Sequence, residues 1–337
     1  MARDNKKRAI GMIIDAAQIR AVELSGSKKN PTLEAYGWVP MPEGLMKDGI
    51  LTDIPKAARL LGDLWKNGGF SDAPVVIGAK NQNVLMRLSS FPKAPVDKMD
   101  SVIRYQAQQA IPIPVSDLVL DYLLCDETSE EGRSLVNVLL VGARRDFVEN
   151  TIALAKAAKR VVADIDVTLL AAHRTATDAM PSGDEVFLLA DIDYETISML
   201  ICKGKTVLMT RTVPIPSVYL ENVKKRYQLV TAVAGNDVTL SQQGETDEFL
   251  KDNIQQLADQ LIGDLRTSIS FFSTQRSINV DKIILSGPMS GMENLADVVA
   301  QEFYIPVEAP LPYPGLLQTD PRYYANCVSL AIRGLGE

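Results

Sequence analysis

RAIGMIIDAAQIRAVEL (residues 8–24) and VFLLADIDYETISMLICKGKTVL (residues 186–208) decide the fold of this 337-residue chain. Each stretch consists of an apolar strand, a short turn that carries aspartate, and a second apolar strand. This is the pattern of a β-hairpin. Each hairpin begins a part of the chain that is long enough to form a domain with its own core. The sequence therefore predicts a protein of two halves, each of which begins with a hairpin.

Composition and charge exclude several classes of function. The net charge of −7 and the pI near 5.0 argue against a surface for nucleic acid or anionic lipid. No apolar run reaches the ~18 residues that span a bilayer, so we expect a cytoplasmic protein without direct membrane insertion. The single histidine, His173, cannot form a metal cluster or a catalytic triad. The three cysteines, Cys125, Cys202 and Cys327, lack metal-ligand spacing and are expected to be buried free thiols.

After the first hairpin, TLEAYGWVPMP predicts a further strand. IPKAARLLGDLWKNGGF has apolar residues at helical spacing, and the predicted helix stops at Gly68 and Gly69. PVVIGAK and NVLMRLSSF, which follow, are interpreted as two strands paired with each other.

At the linker FPKAP the chain changes character, which indicates an insertion. The predicted helix VDKMDSVIRYQAQQA (residues 96–110) is halted by IPIPV, because Pro112 and Pro114 cannot continue a helix. Two predicted strands and a helix complete this unit: LVLDYLLCDE, SLVNVLLVGAR and RDFVENTIALAKAAK.

The second half contains the longest helical pattern of the chain, at residues 248–275. A polar segment with another candidate helix precedes it, after Pro216. The strand DKIILSGPM then leads into the helix ENLADVVAQEF, and a helix within PRYYANCVSLAIRG closes the chain.

Several of these segments together resemble the type IV pilus assembly protein PilM family. IRYQAQQAIPIPVSDLVLDYLL (residues 103–124) is the most specific, because it is similar to that family's helix, IPFP-like turn and aspartate-bearing strand. Further similar segments follow in the family's order: VLLVGARRDFVENTIALAKAA, DLRTSISFFSTQ, DKIILSGPM, YIPVEAP and SLAIRG. The resemblance covers nearly the whole chain.

The resemblance implies an α/β, actin-like two-domain fold of the FtsA/PilM type, with an inserted α/β subdomain in domain 1. Laid on this sequence, the plan gives four subdomains: 1A at residues 1–90 and 160–185, inserted 1C at 91–159, 2A at 186–216 and 276–337, and 2B at 217–275.

The resemblance also implies a function, that of a non-catalytic adaptor in a type IV pilus machine. Family members are cytoplasmic and bind the N-terminal tail of the inner-membrane protein PilN, so they lie at the membrane through that partner. Pilus motor ATPases and a platform protein are further candidate partners, and nucleic acid is not. Three alternatives stay open: an ATP-binding PilM-like protein, an actin-like component of a type II secretion platform and, more distantly, an actin-like small-molecule kinase.

In actin-like ATPases the two hairpin turns face each other across a cleft, and their backbone N–H groups hold the nucleotide phosphates. This use requires glycine, which reaches positive φ cheaply and lets a phosphate approach the backbone. Laid on the family's first turn, Ile13 stands where the metal-side aspartate belongs, Asp15 replaces glycine, and Arg20 keeps the positive charge of a lysine. In the second turn Asp191 keeps the aspartate position, but Asp193 replaces glycine.

The third turn of the cleft is altered as well, since three glycines of the family become Gly287, Pro288 and Met289. Two carboxylates about 4 Å apart would repel each other by ~1 kcal/mol in water and ~4 kcal/mol at intermediate dielectric. The sequence therefore predicts a degenerate nucleotide cleft with no catalytic residue, metal site or cofactor. ATP with Mg²⁺ is expected only if the family site still functions. Asp15 and Asp193 can also be ordinary turn residues.

A groove for the partner's tail is predicted beside the helix of residues 96–110. An extended tail needs apolar pockets and polar groups that pair with its backbone. The candidate lining residues are Val102, Gln106, Gln109, Ile111 and Ile113. The apolar members of this set can equally be core residues, because helical periodicity alone does not separate the two roles.

Overall fold

The computed structural model describes residues 7–80, 83–130, 132–178, 183–193, 195–215, 248–291, 295–309 and 323–336. Its strands are β1 (Arg8–Ile14), β2 (Gln18–Ser27), β3 (Asn30–Pro40), β4 (Met46–Lys47), β5 (Ile50–Leu51), β6 (Val75–Ala79), β7 (Val84–Pro92), β8 (Leu118–Glu130), β9 (Arg133–Arg144), β10 (Val162–Val167), β11 (Val186–Ile192), β12 (Thr196–Lys203), β13 (Thr206–Pro214), β14 (Lys282–Ser286) and β15 (Val307–Glu308). Its α-helices are α1 (Ile54–Gly68), α2 (Val96–Ala110), α3 (Arg145–Ala157), α4 (Thr168–Asp178), α5 (Glu248–Arg276), α6 (Leu295–Phe303) and α7 (Ala325–Leu335). The candidate helix directly after Pro216 lies outside the described residues.

Two five-stranded sheets share one plan, with strand orders β10-β6-β1-β2-β3 and β13-β12-β11-β14-β15. In each sheet a hairpin pairs antiparallel, β1 with β2 and β11 with β12. The first strand of each hairpin also pairs parallel with a later strand, β1 with β6 and β11 with β14. Both predicted hairpins are thus confirmed. Because parallel strands end at the same edge of a sheet, the hairpin turns and the ends of β6 and β14 meet there.

Helix α1 has the ends that its sequence predicts. The side chain of Asp53 accepts a hydrogen bond from the backbone N–H of Lys56 at 2.9 Å, which caps the first turn. Gly69 ends the helix with φ 70°, a conformation that favours glycine. Its buried residues Leu61 and Trp65 pack in one apolar core with Ile10 and Met12 of β1.

The inserted unit contains a three-stranded antiparallel sheet in the order β7-β9-β8. The predicted pairing of β6 with β7 is wrong: β6 lies between β1 and β10, and β7 pairs with β9. The reason is burial, because every residue of β6 is buried, as in a central parallel strand, whereas β7 is largely exposed or half-buried. This sheet begins at Val84, so the predicted subdomain boundary at residue 91 divides β7.

Helix α7 crosses from the second half of the sequence to the first sheet. Its residues Cys327 and Ala331 share a core cluster with Ala9 and Val76 of that sheet. The approach is so close that a Cβ at Gly11 would lie 1.9 Å from the carbonyl oxygen of Cys327. The structure therefore differs from the predicted plan, which gives α7 to subdomain 2A.

Helix α5 also differs from that plan, which gives residues 217–275 to a separate subdomain 2B. The buried side chains of Leu265 and Phe272 share one core with Leu188 of β11 and Ile283 of β14. The described part of α5 therefore covers the second sheet. The subdomain limits themselves stay predictions.

Candidate nucleotide cleft

The candidate cleft lies where the ends of β1, β6, β11 and β14 converge. The turn between β1 and β2 brings Asp15, and the turn between β11 and β12 brings Asp193. Lys80 directly follows β6, and Gly287 directly follows β14. The structure thus brings together the predicted turn residues and adds Lys80, which the sequence interpretation did not include.

Asp15 is a buried carboxylate with partners on both oxygens. Its Oδ1 accepts hydrogen bonds from the backbone N–H groups of Ala17 and Gln18, each at 2.8 Å. Its Oδ2 lies 3.2 Å from Arg20 Nη2 and 3.2 Å from Lys80 Nζ. Burial by itself raises the pKa of Asp15, but Lys80, Arg20 and the two N–H donors lower the pKa below its ordinary value. Asp15 therefore stays ionised, and its side chain stabilises the turn between β1 and β2 through the hydrogen bonds from Ala17 and Gln18.

Lys80 joins the two halves of the molecule. Its ammonium forms ion pairs with Asp15 of the first turn and with Asp193 of the second, and all three side chains are largely buried. Burial lowers the pKa of Lys80, but Asp193 and Asp15 raise it above its ordinary value. The charge repulsion expected between the two aspartates is offset by one cation that lies between them.

Arg20 is fully enclosed, with a relative exposure of 1%. Its Nη1 donates to the carbonyl oxygen of Tyr323 at 2.7 Å, and its guanidinium lies 4.9 Å from the centre of the Tyr323 ring. Arg20 is the cation that the resemblance places at the family's lysine position. Its guanidinium is occupied by these contacts with Tyr323 and by its ion pair with Asp15.

Asp191 occupies a different environment from Asp15 and Asp193. Its Oδ1 accepts a hydrogen bond from Asn326 Nδ2 at 2.8 Å, and Ser286 Oγ donates to Asn326 Oδ1 at 3.2 Å. Burial raises the pKa of Asp191 to about 6, although the bond from Asn326 opposes this; the charge of Asp193 adds to the rise. Among the described residues Asp191 forms no ion pair, although Lys80 and Arg20 are near enough to lower its pKa in part.

The third turn packs tightly against Asp191. Gly287 has φ 85°, and a Cβ on it would lie 2.5 Å from the carbonyl oxygen of Ile192 and 2.7 Å from Asp191 Oδ1. Pro288 and Met289, which follow, are buried, and Met289 belongs to the core of the second half. The retained glycine is required by packing within the protein itself.

Ile13 does not lie open to the cleft. It is 1% exposed and belongs to the core cluster that β1 forms with Cys327 and Ala331 of α7. A carboxylate at position 13 would therefore be buried in the apolar core between β1 and α7.

The start of α7 and Tyr323, two residues before it, contact both halves. The Tyr323 hydroxyl donates to Gln18 Oε1 in the first half, whereas Asn326 binds Asp191 in the second. At the tip of the first turn, Ala17 packs against the apolar core of the second half. In this structure the two halves are therefore in direct contact at the cleft.

The predicted tail-groove residues separate into two groups. Ile111 is buried and Ile113 partly buried in the insertion core, so both act as packing residues. Val102 and Gln106 are half-buried and Gln109 is exposed. Spaced four and three residues apart on α2, these three lie along one flank of the helix.

The comparisons with known proteins agree with this fold. The family described as type IV pilus assembly protein PilM matches residues 11–320. The chain belongs to the PilM family. No curated protein matches the sequence.

Among solved structures, this PilM-family chain is similar to one described as the PilM-PilN type IV pilus biogenesis complex. The identity is 23%, the match covers 98% of this chain and 99% of that one, and the TM-score is 0.80. It is also similar to the ethanolamine utilization protein EutJ from Carboxydothermus hydrogenoformans. That match has 10% identity, covers 96% of this chain and 89% of that one, and has a TM-score of 0.54. The predicted actin-like α/β fold is confirmed.

Within the described part of the PilM-family chain, no group of three or more His, Cys, Asp or Glu side chains could hold a metal ion. The sequence interpretation missed Lys80 and Asn326, which complete the cleft. The sequence does contain a signal for Lys80. A lysine directly after the apolar strand PVVIGA lies at the end of that strand, and a parallel strand ends at the same sheet edge as the aspartate turn of β1.

Proposed function

We propose that this chain is a non-catalytic cytoplasmic adaptor of a type IV pilus assembly machine, which binds the cytoplasmic N-terminal tail of a PilN-like inner-membrane protein. Membership in the PilM family and likeness to a PilM solved with PilN support this partner. The described helices include none that is long and apolar enough to cross a bilayer. On this proposal the protein lies at the inner membrane through its partner and contacts motor ATPases or the platform protein from there.

The position of Lys80 is the single observation that carries the non-catalytic part of the proposal. The two turns that would receive phosphate groups present carboxylates, and those carboxylates share the Lys80 ammonium. A phosphate in this place would have to break buried ion pairs and approach two anions. Neither turn offers the glycine backbone that phosphate binding needs. The residues present do not fit a Mg-nucleotide.

We place the partner's tail on the flank of α2 formed by Val102, Gln106 and Gln109. An amide side chain can both donate to and accept from the backbone of an extended peptide. Val102 adds an apolar contact that is not already buried in the insertion core. Ile111 and Ile113 then support the flank from beneath instead of lining it.

Fluorescence anisotropy with a labelled synthetic peptide of the PilN-like tail tests this function. We expect saturable binding to the wild-type protein and weaker binding to Gln106→Lys with Gln109→Glu. The matched control is Ser101→Glu with Gln108→Lys, which introduces the same charges on other exposed positions of α2. No binding to the wild type would overturn the adaptor proposal. Equal binding to both folded variants would overturn only the position of the tail.

A further inference from the structure

A second candidate binding surface shares no lining residue with the cleft or with the α2 flank. It is a groove of about 360 Å³ between β7 of the insertion, β13 of the second sheet and the carboxyl end of α5. This volume falls within the range of ~300–1,000 Å³ typical of ligand sites. Both β7 and β13 are edge strands of their sheets.

The direction of the backbone groups of β7 follows from the ladder it forms with β9. The N–H of Lys93 donates to the carbonyl oxygen of Ser134, one step beyond the last paired residues of the two strands. Because bonded pairs alternate in an antiparallel ladder, the odd-numbered residues of β7 bond to β9. The N–H and C=O groups of Met86, Leu88 and Ser90 therefore point outward to the free edge. Those three residues line the groove.

The other edge of the same sheet, β8, is protected. The carbonyl oxygen of Leu118 accepts a hydrogen bond from Arg145, and the Asp121 carboxylate accepts one from the N–H of Tyr122. Side chains that occupy outward backbone groups prevent the pairing of further strands. No described residue forms such a hydrogen bond with the outward groups of Met86, Leu88 or Ser90. Among the described residues, side chains thus occupy outward backbone groups of β8 but not those of Met86, Leu88 and Ser90 in β7.

The groove also has an apolar wall and positive charge. Leu208 and Met209 of β13, which are half-buried, line one side. Arg87 and Arg276 line the groove as well, and neither forms an ion pair with a carboxylate of the described residues. In a protein with net charge −7, two such arginines at one groove favour an anionic ligand.

We propose that this groove binds an extended acidic segment of a partner protein, which pairs with β7 as a fourth strand of the insertion sheet. The backbone of the segment bonds to the outward groups of Met86, Leu88 and Ser90. An apolar side chain of the segment contacts Met209, and its acidic side chains pair with Arg87 and Arg276. This is strand addition, in which the main chain provides affinity and alternate side chains provide specificity.

A fluorescein-labelled heptapeptide of alternating leucine and glutamate is the probe. We expect saturable anisotropy with the wild type and none with the peptide that has lysine in place of glutamate. Arg87→Glu with Arg276→Glu should weaken binding by about tenfold or more, because it reverses both charges. Ser90→Pro removes one outward donor and should weaken binding about fivefold, the equivalent of ~1 kcal/mol.

Ser90→Ala is the matched control, because it loses the same hydroxyl contact with Asn137 and keeps the backbone N–H. Proline is compatible with an outward position of this strand, as Pro92 shows. Thermal unfolding verifies that each variant is folded. The proposal is overturned if the wild type does not bind the acidic peptide, or if Ser90→Pro binds it as well as Ser90→Ala. Neither result bears on the tail site or on the cleft.

Discussion

The ammonium of Lys80 and the carboxylate of Asp193 form a buried ion pair across the two halves of the molecule, although the residues are 113 positions apart in the sequence. Lys80 Nζ also lies 3.2 Å from Asp15 Oδ2. One cation of the protein thus neutralises both aspartates that stand in the turns where phosphate-binding glycines are expected.

Lys80→Met should lower the free energy of unfolding by about 3–5 kcal/mol, because removal of one partner leaves buried charges uncompensated. Urea unfolding at neutral pH measures the effect. The matched control combines Lys80→Met with Asp193→Asn, which removes one of the two anions that Lys80 neutralises and leaves Asp15 paired with Arg20. We expect the combined variant to recover most of the lost stability. A loss below about 1 kcal/mol in the single variant would show that the ion pairs are solvated surface contacts.

Asp191 should make the protein less stable as the pH rises from 3.8 through about 6. Its folded-state pKa is raised, so the folded state holds the proton more tightly, and the stabilisation present below pH 3.8 is lost across this window. A rise from 3.8 to about 6 corresponds to about 3 kcal/mol at ~1.4 kcal/mol per pKa unit. Asp191→Asn keeps an oxygen for Asn326 and should be more stable than the wild type above pH 6.

Urea unfolding of the wild type and Asp191→Asn at several pH values measures this difference. The two proteins should have similar stability near pH 4 and separate as the pH rises. Equal stability at all pH values would mean that Asp191 is solvated or paired in the folded state.

Gly287→Ala should destabilise the protein by about 1–3 kcal/mol, because φ 85° strains an L-residue and the new methyl group would meet Ile192 and Asp191. Gly62→Ala is the control. Gly62 lies within α1 with open space around its Cβ position, so alanine there should stabilise by about 0.5–1 kcal/mol. The difference in melting temperature between the two variants checks both signs. A neutral Gly287→Ala would contradict the packing of the third turn.

Restoring one glycine should not create a nucleotide site. Asp15→Gly leaves Lys80 paired with Asp193, and Asp193→Gly leaves it paired with Asp15. We expect ATP binding, if it can be gained, only when Ile13→Asp is added to both changes. Because Ile13 is buried against α7, this triple variant should also unfold at lower urea concentration. Tight ATP binding by either single glycine variant, measured calorimetrically, would show that the missing metal-side carboxylate is unimportant.

Local patterns predicted the parts of the fold that depend on neighbours in sequence. The hairpins β1-β2 and β11-β12 and the ends of α1 follow from alternation, turn residues and capping, and the structure contains them. The path of α7 could not be predicted, because it depends on Gly11 admitting a helix backbone from more than 300 residues away. Lys80 was missed for a similar reason, since it meets Asp15 only when β6 pairs with β1.

Part of the site also depends on burial, which a turn sequence does not reveal. The family resemblance places Ile13 in a cleft, and the position of Ile111 in the turn after the helix places it in a groove, yet both side chains are buried in apolar cores. Asp191 lies in β11 and Asp193 in the turn after it, and they have different partners, because only Asp193 forms an ion pair with Lys80. The resemblance and the local sequence identified these positions, but the tertiary contacts determine what each one does.

Calorimetric titration of Mg-ATP into the wild-type protein tests whether the ion pairs of Lys80 with Asp15 and Asp193 exclude nucleotide from the cleft. Because these ion pairs occupy the cleft, we expect no saturable heat and no rise in melting temperature at millimolar Mg-ATP. A micromolar site would add about 4 kcal/mol of stability under those conditions, which a thermal scan detects readily. Stoichiometric, saturable binding of Mg-ATP would show that the ion pairs do not keep nucleotide out of the cleft.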